Sequence, residues 1–219
     1  HLGAVPDAIE EVLRLYRDDM NPGDVVIMND PYAGGMHLPD IFMFMPIFFR
    51  ERLQGFSVVV AHHCDMGGRV PGSNASDSTE IYQEGLRIPP LKLFDRGKKN
   101  TTLFQLIEKN VRVPDLVVGD LEAQLATCRI GEREYVRLFE KYGEADMKRY
   151  VAALLDYAET VTRQAIRAWP RGTYRFTDHI DGDGFSDKPI PIQVAITVGD
   201  GELIVLGPEK LPRVARTLG

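Results

Sequence analysis

Cysteine is nearly missing from this chain: Cys64 and Cys128 are the only two in 219 residues, and they sit in unlike contexts. A disulfide framework is therefore not indicated, and a reducing, cytoplasmic setting is expected. Long apolar runs are missing too. The longest, Ile41 to Phe49, falls well short of the roughly 18 residues of a membrane span and is broken by Pro46. No signal-peptide pattern is present. Basic blocks are absent, with 26 Lys and Arg against 32 Asp and Glu and a net charge of −6. Nucleic acid is thus excluded as a principal partner, because phosphate neutralisation needs clustered cations. Neither a Walker-type phosphate loop nor a Gly-x-Gly-x-x-Gly before a helix occurs, so ATP must be handled elsewhere. The chain opens on His1 rather than Met, which reads as a piece of a longer protein.

What is present is an apolar content of 44%, enough for one substantial core or two small ones. Pro6 to Met20 carries Ala8, Ile9, Val12, Leu13 and Tyr16 at helical spacing, with Pro6 where a first turn tolerates it. Asn21-Pro22-Gly23 ends that helix and leads into a short buried strand, Asp24 to Met28, followed by the turn residues Asn29 to Gly35. Ile41 to Phe49 and Phe56 to Ala61 read as a hairpin joined by the polar Arg50 to Gly55. From Met66 to Asn100 periodicity disappears, but Ile81, Tyr82, Leu86, Ile88, Leu91, Leu93 and Phe94 predict a long loop that is packed down.

Two long helices are predicted next. The first covers Asp115 to Tyr142, with an interruption near Gly131. The second covers Ala145 to Ala168, with Met147, Val151, Leu154, Ala158, Val161 and Ala165 as a core-facing stripe. Strands follow over Tyr174 to Ile180 and Pro189 to Val198. The intervening Asp181-Gly182-Asp183-Gly184 reads as a hairpin turn, since it lacks the full ligand series and closing Glu of a calcium loop. Strands and helices are segregated rather than alternating. The expected class is α+β, with mixed or antiparallel sheets and a central antiparallel helix pair. The predicted sections are 1–112, 113–169, 170–203 and 204–219.

Chemistry concentrates in two short segments, His37-Leu38-Pro39-Asp40 and Ala61-His62-His63-Cys64-Asp65-Met66-Gly67-Gly68, which hold three of the five histidines. Imidazole nitrogens and carboxylate oxygens suit a borderline divalent metal, and a two-His, one-carboxylate set leaves coordination positions open. Pro39 holds Leu38 extended, so His37 and Asp40 do not share a helix face and must converge through a turn. The hairpin would carry Asp40 and His62 to the same end of the sheet. Spacing alone leaves open which histidine of the doublet takes part. Asp65 is a candidate to hold an imidazole in one tautomer, or a turn-capping carboxylate before Gly67; Asp30 could do either job. Gly34-Gly35 and Gly67-Gly68 permit close backbone approach, to an anion or simply within a turn. Cys64 lacks an evident base and electropositive setting for a nucleophile.

Gly23-Asp24-Val25-Val26-Ile27-Met28-Asn29-Asp30-Pro31-Tyr32, running through Gly34-Gly35 into His37 to Asp40, resembles the signature of the hydantoinase B/oxoprolinase family. So do Ala61 to Ser73 and the block Glu84-Gly85-Leu86-Arg87-Ile88-Pro89-Pro90. The family includes the B half of N-methylhydantoinases and 5-oxoprolinases and the alpha subunits of acetone carboxylases. The resemblance implies ATP-dependent hydrolysis of a cyclic amide, with a hydantoinase A-type partner using ATP to activate the substrate. It implies a divalent metal (Mn, Fe or Zn) on His37, Asp40 and His62, with His63 as the rival ligand, and catalytic roles for Asp65 and Asp30. A ketone carboxylase subunit and a non-catalytic assembly module are the alternatives. The isolated chain is expected to be inactive. After Glu202 the resemblance is expected to stop, and residues 204–219 resemble a single-span component of the twin-arginine translocase without the preceding membrane helix.

Overall fold

The computed structural model describes residues 2–207. The chain divides into two compact units, one taking in residues up to Ala75 together with Ile81–Lys141, the other Ser76–Glu80 and the chain from Tyr142 on. The class is α+β, with two antiparallel sheets.

The first unit is built on a five-stranded sheet in the order β3-β2-β1-β4-β5. Its strands are β1 (Val25–Met28), β2 (Asp40–Phe49), β3 (Arg52–His62), β4 (Leu91–Asp95) and β5 (Lys98–Lys99). Side chains alternate across a sheet, and here each face has its own cover. Val26, Met28, Phe42 and Phe44 pack with Ala8 and Val12 of α1 (Val5–Tyr16). Val25, Ile27, Ile41, Met43 and Met45 pack on the other face with α2 (Thr101–Asn110) and α3 (Pro114–Tyr142), through Leu103, Phe104, Ile107, Val117, Leu121 and Leu125. A sheet covered on both faces explains why β1 and most of β2 read as continuous apolar runs.

The β2–β3 hairpin is tighter than the expected Arg50 to Gly55 link. Arg50 and Glu51 alone form the turn, both with positive φ (49° and 63°), the conformation of a two-residue hairpin loop. Phe49 pairs with Arg52 and Phe48 with Leu53, but Ile47 pairs with Gly55. Gln54 is therefore an extra residue in β3, a bulge that moves the rest of the ladder by one position. As a result Asp40 pairs with His62 rather than with Ala61.

Three expectations need correction here. The irregular stretch ends earlier than Asn100, because Leu91–Asp95 and Lys98–Lys99 are strands. Within it Met66 and Ile88 are buried, whereas Tyr82 is exposed. Helix α2 is not anticipated by the sequence reading; its N-cap is Asn100, whose side chain accepts from the Leu103 amide at 3.1 Å. Helix α3 runs unbroken through Gly131, where a Cβ would collide with the Ser57 hydroxyl of β3. Glycine there permits close helix-to-sheet packing; it does not interrupt the helix.

The second unit contains α4 (Glu144–Arg167) and a three-stranded antiparallel sheet, β6 (Gly172–Ile180), β7 (Ile190–Val198) and β8 (Leu203–Leu206), in that order. The β6–β7 connection contains Asp181 to Gly184 as a hairpin loop, with Asp183 accepting from the amides of Phe185 and Ser186. Arg163 of α4 donates to the Gly201 carbonyl, and Arg167 and Arg171 both pair with Asp200. The apolar stripe expected to be core is largely uncovered among the described residues: Met147 is α4's only buried residue, and Leu154 is 65% exposed. The two long helices fall in different units. The sheet also continues past Glu202, since Leu203–Leu206 pair with Val198 to Ala195. Residues 208–219, most of the expected tail, lie outside the described residues.

Candidate functional site

Asp30 starts the local construction. Its carboxylate accepts from the Tyr32 amide at 3.0 Å and caps the short 3-10 turn Pro31–Ala33, while its carbonyl accepts from Ala33 and Gly35. Gly34 follows at φ +88°, where a Cβ would meet the Ala8 amide nitrogen of α1 at 2.5 Å. The turn is thus pressed against α1 and delivers His37 to the start of β2. The Asp40 amide donates back to the His37 carbonyl at 2.9 Å, closing the bend that Pro39 requires.

Asp40 is 1% exposed, and its Oδ2 lies 2.5 Å from His37 Nδ1. Nδ1 is thus the ring nitrogen turned to the carboxylate, and Nε2 is the ring's other polar atom. His62 sits directly opposite Asp40 in the ladder, and its ring centroid is 4.9 Å from that of His37, tilted by 52°. Three of the predicted residues therefore adjoin one another. Among the described residues, however, no group of three or more His, Cys, Asp or Glu side chains is arranged to hold a metal ion. The donor chemistry fits a divalent cation, with two imidazoles and a carboxylate side by side. As placed, the first contact is between His37 and Asp40 themselves.

The doublet is split by strand alternation. His63 is completely buried, its Nε2 2.9 Å from Gln124 Oε1 of α3, and Gln124 Nε2 donates to the Ile41 carbonyl. Burial is the main influence on this imidazole and pushes its pKa down; the Gln124 bond opposes the shift without cancelling it. Among the described residues His63 Nδ1 has no hydrogen-bond partner. His62 thus belongs with Asp40, and His63 belongs to the sheet–α3 packing.

The two catalytic aspartates read from sequence are placed differently. Asp65 is 3% exposed and its carboxylate accepts four hydrogen bonds, from the amides of Gly67, Gly72 and Arg112 and from the Arg112 guanidinium. A carboxylate offers about four lone-pair sites, so none is left for an imidazole. Burial alone would raise its pKa; the bonds from Arg112, Gly72 and Gly67 outweigh that and hold it below the usual carboxylate range. Asp65 is the turn-capping carboxylate, not a histidine's partner. Asp30 caps its own turn and lies 3.8 Å from Arg87 Nε. The paired glycines approach protein backbone and not an open anion site: Gly35 meets the Asp30 carbonyl, Gly67 the Asn110 carbonyl and Gly68 the Gln83 carbonyl. Cys64 is exposed and Cys128 is buried, its thiol pushed up to about 11 by burial.

Asn29, which sequence reasoning misses, ties the motifs together. Fully buried at the end of β1, it donates to the carbonyls of Leu38 (2.7 Å) and Leu86 (2.9 Å) and accepts from the Ile88 amide (2.6 Å). A buried amide must find partners on three sides, and here they come from the His37–Asp40 segment and from the Glu84–Pro90 block. The available signal is an Asn just after four apolar strand residues, where turn chemistry is the ordinary reading. A cavity of about 860 Å³ is lined by Tyr32 to Gly34, by α1 residues including Asp7, Glu10 and Arg14, and by Arg17 just beyond the helix; none of its lining residues is a histidine.

No helix of the described residues is long and apolar enough to cross a membrane. Residues 1–206 match the family model Hydantoinase B/oxoprolinase, and residues 203–219 match that of the mttA/Hcf106 family. The first match runs beyond Glu202 and so includes β8. The chain is 39% identical over 202 residues to the B subunit of a putative D-/L-hydantoinase of Pseudomonas sp. (strain NS671), covering 90% of this chain and 34% of that one. It is 34% identical over 214 residues to the beta subunit of the caprolactamase of Pseudomonas jessenii, covering 97% and 37%. The crystal structure of the ATP-dependent caprolactamase from Pseudomonas jessenii superposes with a TM-score of 0.90 at 33% identity, again over 97% of this chain and 37% of that one. The chain spans about a third of the length of these relatives. With a family model matching nearly its whole length and the fold shared, the chain belongs to the hydantoinase B/oxoprolinase family.

Proposed function

We propose that this chain forms the hydrolytic-site section of an ATP-dependent cyclic amidohydrolase, working with a hydantoinase A-type partner in the cytoplasm. The observation that carries the proposal is the adjoining set His37, Asp40 and His62, built by a capped turn and a bulged hairpin. Those three residues would hold a divalent cation (Mn, Fe or Zn), which when bound supplies Lewis-acid polarisation and an acidified water. The chain's own residues act in a defined order of support. Asp40, buried against His37 Nδ1, orients that ring. His62 stands beside His37 as a second imidazole. Handling of ATP falls to the partner, since the chain carries no phosphate loop.

The direct 2.5 Å contact favours a second reading, in which His37 and Asp40 act as an acid–base pair. A carboxylating role and a scaffold role are the remaining alternatives within the family. The test is lactam-dependent ATP hydrolysis by the complex with an A-type partner. Activity that falls at least about a hundredfold in His37→Ala, an order typical of losing a positioned acid–base group, supports the enzyme. Unchanged activity in that variant assigns the chemistry to the partner and the scaffold role to this chain. The isolated chain should show no turnover.

A further inference from the structure

The block Glu84–Pro90 presents one charged side chain for which the site chemistry above has no use. Arg87 lies between Leu86, whose carbonyl accepts from Asn29, and Ile88, whose amide donates to Asn29. Its backbone is therefore held on both sides by a fully buried side chain at the end of β1. The same Asn29 Nδ2 binds the carbonyl of Leu38, next to His37, so the Arg87 and His37 segments meet on one nitrogen atom.

The guanidinium is braced as well. Its carbon lies 5.7 Å from the centroid of the Tyr32 ring and 5.8 Å from that of the Tyr82 ring, within cation–π range of two exposed aromatics. Tyr32 sits on the capped turn that leads to His37. Asp30 Oδ2 is 3.8 Å from Arg87 Nε, close enough to orient the charge but too far to take up a hydrogen bond. Among the described residues the guanidinium makes no hydrogen bond, so its planar fork of N–H donors is positioned and unspent. Such a fork matches an oxyanion with two parallel acceptors better than any other group a protein can offer.

We propose that Arg87 is the oxyanion-receiving residue of this site, a specificity-determining group for an anionic cyclic amide or its activated form. The inference rests on the enzymatic reading above, and it names the substrate class that reading leaves open. Two sources share the chemistry: a carboxylate carried on the ring, as in 5-oxoproline, and a phosphoryl group placed on the substrate during activation. A neutral lactam offers Arg87 nothing.

The test is an NMR titration of the full chain at low ionic strength with inorganic phosphate, with L-5-oxoproline and with neutral caprolactam. Arg87→Gln, Arg87→Lys and the unaltered chain are compared after thermal unfolding has shown that all three fold. Loss of charge-assisted bonds should weaken anion binding about tenfold or more in Arg87→Gln. Arg87→Lys, which keeps the charge but not the fork, should fall in between, and any caprolactam response should not change. Binding of 5-oxoproline without phosphate assigns the ring carboxylate; binding of phosphate without 5-oxoproline assigns the phosphoryl group; binding of both assigns a general oxyanion seat. An unaltered chain that binds neither anion, or an Arg87→Gln chain that binds as tightly, overturns the proposal. A complex without lactam-dependent ATP hydrolysis would instead defeat the enzymatic reading and leave the titration result standing.

Discussion

In β2 every residue from Asp40 to Ile47 is buried, whereas in β6 all nine residues from Gly172 to Ile180 are exposed. Both strands are antiparallel and both carry large apolar side chains. The difference lies in what faces them. β2 has α1 against one face and α2 and α3 against the other, while Tyr174, Phe176 and Ile180 of β6 are uncovered. Apolar patterning specifies which residues could be core; only a facing surface makes them so. The site follows the same division, since His37, Asp40, His62, Asn29 and Arg87 all belong to the first unit.

That contrast sets the largest expected effect. Phe42→Ala should cost about 3–5 kcal/mol by denaturant unfolding, since a fully buried ring leaves a cavity between the sheet and α1. Phe176→Ala, at a residue 67% exposed, should stay within about 0.5 kcal/mol. Comparable losses would mean that β6 is covered by something the described residues do not contain. Next in size is Asn29→Ala, which strands the Leu38 and Leu86 carbonyls and the Ile88 amide and should cost about 2–3 kcal/mol. The same unfolding curve measures it.

Asp65 supplies a smaller and pH-dependent term. Its folded pKa is depressed, so its contribution is fully present above the ordinary carboxylate value of about 3.9 and is lost as pH falls through the lower folded value. Asp65→Asn should cost about 1–3 kcal/mol at neutral pH. Its stability should also be flatter than that of the unaltered chain as acid is added below about pH 4. Parallel curves for the two proteins would show that Asp65 is not held by Arg112, Gly67 and Gly72.

Much of the first unit is legible in the sequence because local signals agree with the fold. The apolar spacing of α1, the run of β1 and the hairpin of β2 and β3 each announce themselves. His37, Asp40 and the histidine doublet are visible as residue types at turn and strand ends. Which histidine faces Asp40 is not, because it depends on register. A two-residue turn at Arg50-Glu51 with unbroken pairing sets Asp40 against Ala61; the single extra residue Gln54 sets it against His62. The positive φ values of Arg50 and Glu51 carry no glycine or asparagine to mark them, and Gly55, beside the bulge, reads in sequence as the end of the loop. Asp65 and Asp30 are ambiguous for another reason, since a carboxylate beside a glycine turn looks alike in sequence whether it serves a backbone or an imidazole. The α4 stripe is legible as apolar and misassigned as core, for want of any surface among the described residues to bury it.

Metal binding by the histidine variants bears most directly on the central claim, that His37, Asp40 and His62 form one site and His63 another. The chain, freed of metal and titrated with Mn(II), would be followed by the electron paramagnetic resonance signal of the free ion. Stoichiometric uptake is expected for the unaltered chain, abolished in His37→Ala and His62→Ala and kept in His63→Ala, which should lose stability instead through its bond to Gln124. Uptake that survives both His37→Ala and His62→Ala, or that disappears only in His63→Ala, would contradict the account.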